Sequence, residues 1–135
     1  MLFILTPDEI LKRGLDTIGF DEAKQRKIND AGKLETFLSY YGSAPIVLAL
    51  IWEDLQTTSI QQARVDPKKT SITVFFMVMY FLKAYPTYNI LAVTFGASRQ
   101  NLQDTLWSLI CKIQALKSTK VRANATIRAL KIAIN

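Results

Sequence analysis

The sequence predicts an all-α domain, a bundle of about five helices that contains a helix-turn-helix. Three observations predict it. Half of the 135 residues are apolar while Gly and Pro number only five and four, a balance that favours a folded, mainly helical chain. Helix-opening residues (Thr6, Asp21, Ser71, Thr87 and Ser98) stand directly ahead of stretches whose apolar residues recur at helical spacing. Residues 85–117, finally, read as a short helix, a tight turn at Phe95-Gly96-Ala97 and a long amphipathic helix, the layout of a helix-turn-helix.

Taken in order, Thr6 with Pro7 next and Glu9 three positions after the cap opens a first helix. Thr can cap, Pro suits the first turn, and Glu can reach back to the cap. Ile10, Leu11, Leu15 and Ile18 form its apolar face, and it ends near Gly19. Asp21 caps a second helix through Ala23, Ile28, Leu34, Phe37, Leu38 and Tyr41. Asp30, Gly32 and a sparse apolar face weaken the first half of that helix, so residues 1–36 read as an N-terminal helical arm ahead of a core at 37–117. Gly42 stops the helix, and Ser43-Ala44-Pro45 starts another over 46–55, with Ile46, Leu50 and Trp52 facing inward.

Residues 56–69 are polar, contain Asp66-Pro67, and read as a loop with a short turn of helix at 60–64. Ser71 caps the most apolar helix, 72–84, which is hydrophobic nearly all round and must be wrapped by the others. It ends at Tyr85 because a following proline disfavours helix in the residue before it. Thr87 caps a short helix over 88–95, Gly96 turns the chain, and Ser98 caps the long one. Leu102, Leu106, Leu109, Ile113 and Leu116 make one stripe along it. Three heptads without charged flanking positions are too few for a coiled coil, so the stripe reads as core contact. Beyond it, residues 118–135 carry Lys120, Arg122, Arg128 and Lys131 with no acid, and form a basic tail or a short amphipathic helix over 127–134.

Several function classes are excluded at this level. The chain has no histidine and a single cysteine, which removes the usual zinc sites and every Ser-His or Cys-His nucleophile. No cofactor, metal or small-molecule substrate is expected. Cys111 has no internal partner for a disulfide, which fits a reducing compartment. No window reaches the roughly 18 apolar residues of a membrane span, and the opening Met1-Leu2-Phe3-Ile4-Leu5 lacks the basic flank of a secretory signal.

The net charge of +6 is unevenly placed. Residues 1–63 hold nine acids and six bases, a balance of −3, whereas 64–135 hold two acids and eleven bases, a balance of +9. The basic half is the half with the helix-turn-helix. Such a surface releases counterions from a polyanion, so double-stranded DNA is the leading partner.

Within that unit the spacing suits DNA binding. Ala92 supplies a small residue four positions before Gly96, where the second helix crosses the first, and Gly96 supplies freedom for positive φ in the turn. Leu91, Phe95 and Leu102 hold the helices together; Thr105 stands where a larger apolar residue is more usual. With Leu102 inward, Gln100, Gln103, Asp104 and Trp107 fall on the outward half of the helix, with Arg99 at the edge of its N-terminal end beside the Ser98 cap. Arg can pair bidentately with guanine, Gln with adenine, and Asp can accept from cytosine, while a helix N-terminus favours phosphate. Lys68, Lys69, Lys83, Lys112 and Lys117 are candidate phosphate contacts, which set affinity without setting sequence.

These residues also carry a family likeness. Residues 75–117, FFMVMYFLKAYPTYNILAVTFGASRQNLQDTLWSLICKIQALK, resemble the helix-turn-helix domain that precedes the catalytic domain of Harbinger-type DDE transposases. An apolar helix there leads into Tyr-Pro-Thr, here Tyr85-Pro86-Thr87, and a short helix ends in Phe-Gly ahead of a Ser-opened helix, here Phe95-Gly96 and Ser98. Upstream, FLSYYGSAPIVLALIWEDL over 37–55 is similar to the family's Tyr-Gly or Phe-Gly turn and Trp-bearing helix. The resemblance implies sequence-specific binding of transposon-end DNA in the nucleus. Catalysis in that family falls to three carboxylates on an RNase H-like domain, which residues 118–135, with no Asp or Glu, do not supply. The expectation is therefore a non-enzymatic DNA-binding domain. The alternative is a helical interaction or dimerisation module in which the leucine stripe, or Trp107 and Cys111, docks a partner or a second copy.

Overall fold

A computed structural model of the chain describes residues 4–68, 70–95 and 99–122, the side chains of residues 88, 92, 99–102 and 118–122 excepted. Seven helices occupy the described residues: α1 (Pro7–Thr17), α2 (Glu22–Arg26), α3 (Asp30–Tyr41), α4 (Pro45–Thr57), α5 (Ile72–Ala84), α6 (Tyr88–Phe95) and α7 (Arg99–Arg122). No strand occurs among those residues, and the domain is all-α. The turn at 96–98, Lys69 and the tail beyond Arg122 lie outside them.

Local chemistry accounts for most of the boundaries. Thr6 and Glu9 form a reciprocal capping box, with the Glu9 amide donating to Thr6 Oγ1 and the Thr6 amide donating to Glu9 Oε1. Those bonds hold the Glu9 carboxyl below the usual range. Asp21, Ser71 and Thr87 cap α2, α5 and α6 through side-chain oxygens that accept from Lys24, Val74 and Ile90. Gly42 ends α3 at φ 75°, a left-handed conformation that suits a residue without Cβ.

The structure corrects the single helix expected from Asp21 to Tyr41. After Arg26 the backbone tightens into three-residue bonds from Lys27 to Lys24 and from Ile28 to Gln25. Asn29 then starts a new helix, its Oδ1 accepting from the Gly32 amide at 2.7 Å. Gln25 ties the short helix down: its Nε2 donates to the carbonyls of Phe20 (2.6 Å) and Lys12 (3.2 Å), binding α2 to the middle of α1 and to the connection between them. Two helices, α2 and α3, thus stand among the described residues where one was expected.

α1 packs against α3, α4 and α5, and Leu5, Ile10 and Leu15 belong to the same core cluster as Phe37, Trp52 and Phe76. Its closest seam is glycine-sized. A Cβ on Gly14 would stand 2.5 Å from Phe37 Cε2 and 3.1 Å from Phe76 Cε1. Beside it the Tyr41 hydroxyl donates to the Gly14 carbonyl at 2.6 Å, and burial raises the Tyr41 hydroxyl's pKa far above its ordinary value. The rings of Phe37, Tyr41, Phe76, Phe75 and Trp52 continue as a chain of contacts across the core, with centroids 4.7 to 6.1 Å apart along that path.

On α4 the inward face also differs from expectation. Trp52 is buried, together with Val47, Leu48 and Leu55, but Ile46 is 52% exposed and Leu50 only half-buried. α4 is apolar on nearly every side, so its sequence period singles out no face; packing against α1 and α7 chooses the Leu48-Trp52-Leu55 stripe. α5 is wrapped at Phe75, Phe76, Met77 and Val78, four consecutive positions that cover its whole circumference. Its last turn is not wrapped: Leu82, Lys83 and Ala84 are exposed. No single helix among the described residues is long and apolar enough to cross a membrane; α3 and α4 reach that length and composition only together, across a 52° bend.

Candidate nucleic-acid interface

The unit that would meet DNA is built from α5, α6 and α7, which pack against one another. Leu91 of α6 is fully buried, and the Phe95 ring lies 5.6 Å from Tyr80 of α5, fixing the short helix to its neighbour. On α7, Leu106, Leu109 and Leu116 are buried and Ile113 partly so, which places the expected stripe in the core of the chain itself. Leu102 and Ala92 are residues whose side chains fall outside the description.

With the leucines inward, α7 turns Gln103, Asp104, Thr105, Trp107, Ser108 and Cys111 to solvent. Gln103 and Asp104 thus stand on the exposed face expected of base-reading residues. Trp107 is 49% exposed and does not project freely: its ring meets Phe81 of α5 edge-on at 6.5 Å. Arg99 and Gln100 begin α7, with side chains outside the description, as is the whole of Ser98.

The lysines divide. Lys68 is exposed in the loop ahead of α5, where its amide donates to Asp66 Oδ1. Lys117 is exposed on α7. Lys112 is half-buried, and its ammonium donates to the Arg64 carbonyl at 2.8 Å. That bond brings α7 onto the 58–66 loop, which is itself held by the Val65 amide donating to Leu55 O and by Arg64 Nε donating to Thr58 O. Lys112 lies roughly 12 Å along the helix from Asp104 at 1.5 Å per residue, so the two side chains occupy different turns.

Sequence reasoning missed two features here. Arg64 anchors Lys112 through its backbone carbonyl, which no side-chain pattern reveals. The other is an apolar surface: Tyr85 is 76% exposed, Ile90 53% and Val93 84%. Its signal in the sequence is the stretch 84–98, fifteen residues without one charge between Lys83 and Arg99. Tyr85 itself adopts φ 49°, ψ 48°, a left-handed conformation unusual for a side chain of its size, with its ring 6.2 Å from Phe81.

Elsewhere, an open groove of about 790 Å³ lies among α1, α2, α3 and the start of α4. Its acids Asp8, Glu22 and Asp30 are matched by Lys12, Arg26 and Lys33, so it offers a polyanion no net attraction. Among the described residues no three His, Cys, Asp or Glu side chains are grouped to hold a metal ion. Comparisons with protein-family models, with curated proteins and with solved structures find no match.

Proposed function

We propose that this chain is a DNA-binding domain of the helix-turn-helix type, related to transposases of the Harbinger kind, acting in the nucleus by binding and not by catalysis. The observation that supports it best is the coincidence of charge and geometry on α7. The helix is anchored by buried leucines, its opposite face exposes Gln103, Asp104, Thr105 and Ser108 beside Trp107 and Cys111, and it lies in the half of the chain that carries +9. In this reading the N-terminal turns of α7 enter the major groove, where Arg99, Gln100, Gln103 and Asp104 contact base edges and Trp107 lies at the margin. Lys68, Lys69, Lys112 and Lys117 anchor phosphates on either side.

Fluorescence anisotropy with labelled duplexes, including a randomised pool from which a preferred site is selected, tests the proposal. Binding should weaken linearly in log affinity against log salt, with a slope of about −0.9 per phosphate neutralised. Arg99→Ala and Gln103→Ala should each reduce discrimination between selected and random sequence. Absence of binding to every duplex at low salt, or binding independent of salt, refutes it.

A further inference from the structure

We propose that Arg64, in the loop between α4 and α5, is a phosphate-contacting residue beside the exposed face of α7, and that Lys112 positions it. The inference rests on the DNA-binding reading and adds to it a contact that lies outside the helix-turn-helix. Arg64 is exposed, whereas Ala63 and Val65 on either side of it are buried. The amides of Ala63, Arg64 and Val65 donate to the carbonyls of Ile60, Gln61 and Leu55, so the backbone under Arg64 is held at three successive positions. The side chain is held as well: its Nε donates to the Thr58 carbonyl at 2.9 Å. That bond sets the plane of the guanidinium, and the fork of two terminal nitrogens takes no part in it. Lys112 ties this platform to α7, its ammonium donating to the Arg64 carbonyl at 2.8 Å. Asp66, the nearest acid in the sequence, gives its Oδ1 to the Lys68 amide.

Position and chemistry point to the ligand. Asp104, Ser108 and Lys112 follow at four-residue spacing and so form one ridge of α7; the first two are exposed and the third meets the loop. Arg64 therefore borders the face that would enter a groove. The half-width and depth of a major groove set a flanking phosphate about 10 Å from the base edges at its centre. Lys112 stands roughly 12 Å along the helix from Asp104. With the Asp104 turn at the bases, the loop lies where the sugar-phosphate backbone passes. A guanidinium already oriented by Thr58 loses less freedom on pairing than an unheld lysine, and its fork can give two parallel N–H bonds to one phosphate. Lys112 commits one of its N–H groups to the Arg64 carbonyl and serves this side chiefly by holding Arg64 in place.

Fluorescence anisotropy of the full chain with a labelled duplex tests this. Arg64→Gln should lower the slope of log affinity against log salt by about 0.9, so the parent's advantage in affinity shrinks roughly 3.5-fold between about 50 and about 200 mM salt. Arg64→Lys keeps the charge and should restore the slope. Both variants lose the Nε bond to Thr58, so a merely structural role would make them behave alike on DNA. Neutral methylphosphonate linkages, placed singly along the duplex, give a second measurement. At the contacted phosphate the modification should weaken binding of the parent and leave that of Arg64→Gln unchanged. An unchanged slope in Arg64→Gln, no rescue by Arg64→Lys, or no linkage that separates the two proteins overturns this inference and leaves DNA binding through α7 standing. Absence of binding to every duplex overturns both.

Discussion

Replacing Gly14 by alanine tests the seam on which α1 meets the rest of the bundle. In an unconstrained helix interior the change would stabilise by about 1 kcal/mol, since Ala has the higher helix propensity. Here the new methyl would lie 2.5 Å from Phe37 Cε2, a fully buried ring with no free end to swing away. The Phe37 ring lies tilted against that of Tyr41, with centroids 4.7 Å apart, so moving it displaces the hydroxyl that satisfies the Gly14 carbonyl. Overpacking of this kind costs about 1–3 kcal/mol, and a buried carbonyl left unsatisfied costs about 1–3 kcal/mol more. Set against the propensity gain, the expected net loss is about 1–5 kcal/mol. Urea denaturation followed at 222 nm measures it directly. Phe37→Leu removes the ring edge in the way of the methyl, so the double variant should lose at least about 1 kcal/mol less than the two single changes summed. A Gly14→Ala protein as stable as the parent, or more so, refutes the close approach of α1 to α3.

Three further predictions are independent of that seam. Tyr41 is buried as the neutral phenol, so its folded pKa exceeds the unfolded value of 10.0; the stability this contributes is complete below pH 10 and is lost as pH rises beyond it. Tyr41→Phe should therefore flatten the alkaline limb of a stability–pH curve measured by thermal melts from pH 8 to 11. Asn29→Ala removes the cap that starts α3 and should cost about 1 kcal/mol, with loss of amide exchange protection at Gly32 and Lys33 before the rest of the helix. Lys112→Met keeps the aliphatic stem and deletes the bond to the Arg64 carbonyl, for an expected loss of about 1 kcal/mol in stability. On DNA it should change the salt slope less than Lys117→Met, whose loss of one phosphate contact lowers the slope by about 0.9.

What was legible in the sequence is what is decided within four residues. The caps at Thr6, Asp21, Ser71 and Thr87, the glycine stop at Gly42 and the end of α5 ahead of Pro86 each depend on one side chain and the backbone beside it. The break before Asn29 is equally local, but Asn29 sits inside a run compatible with helix, and the bonds from Gln25 that fix it reach back to Phe20 and Lys12. Which way a uniformly apolar helix faces is not local at all. Ile46 and Leu48 are alike in the sequence, and only the positions of α1 and α7 leave the first in solvent and bury the second. At the candidate interface, the buried side of α7 followed from its leucine spacing, and hence so did the exposure of Gln103 and Asp104. The engagement of Lys112 did not, because its partner is a carbonyl 48 positions earlier, and backbone carbonyls are the same at every residue.

The single thiol gives the molecule a reporter on its own key helix. Cys111 is the only cysteine in the chain and is exposed on α7, two turns beyond Asp104 and beside Lys112. A maleimide dye or nitroxide attached there reaches one position per molecule without any substitution. Quenching of such a dye by duplex would follow α7 during an encounter with DNA.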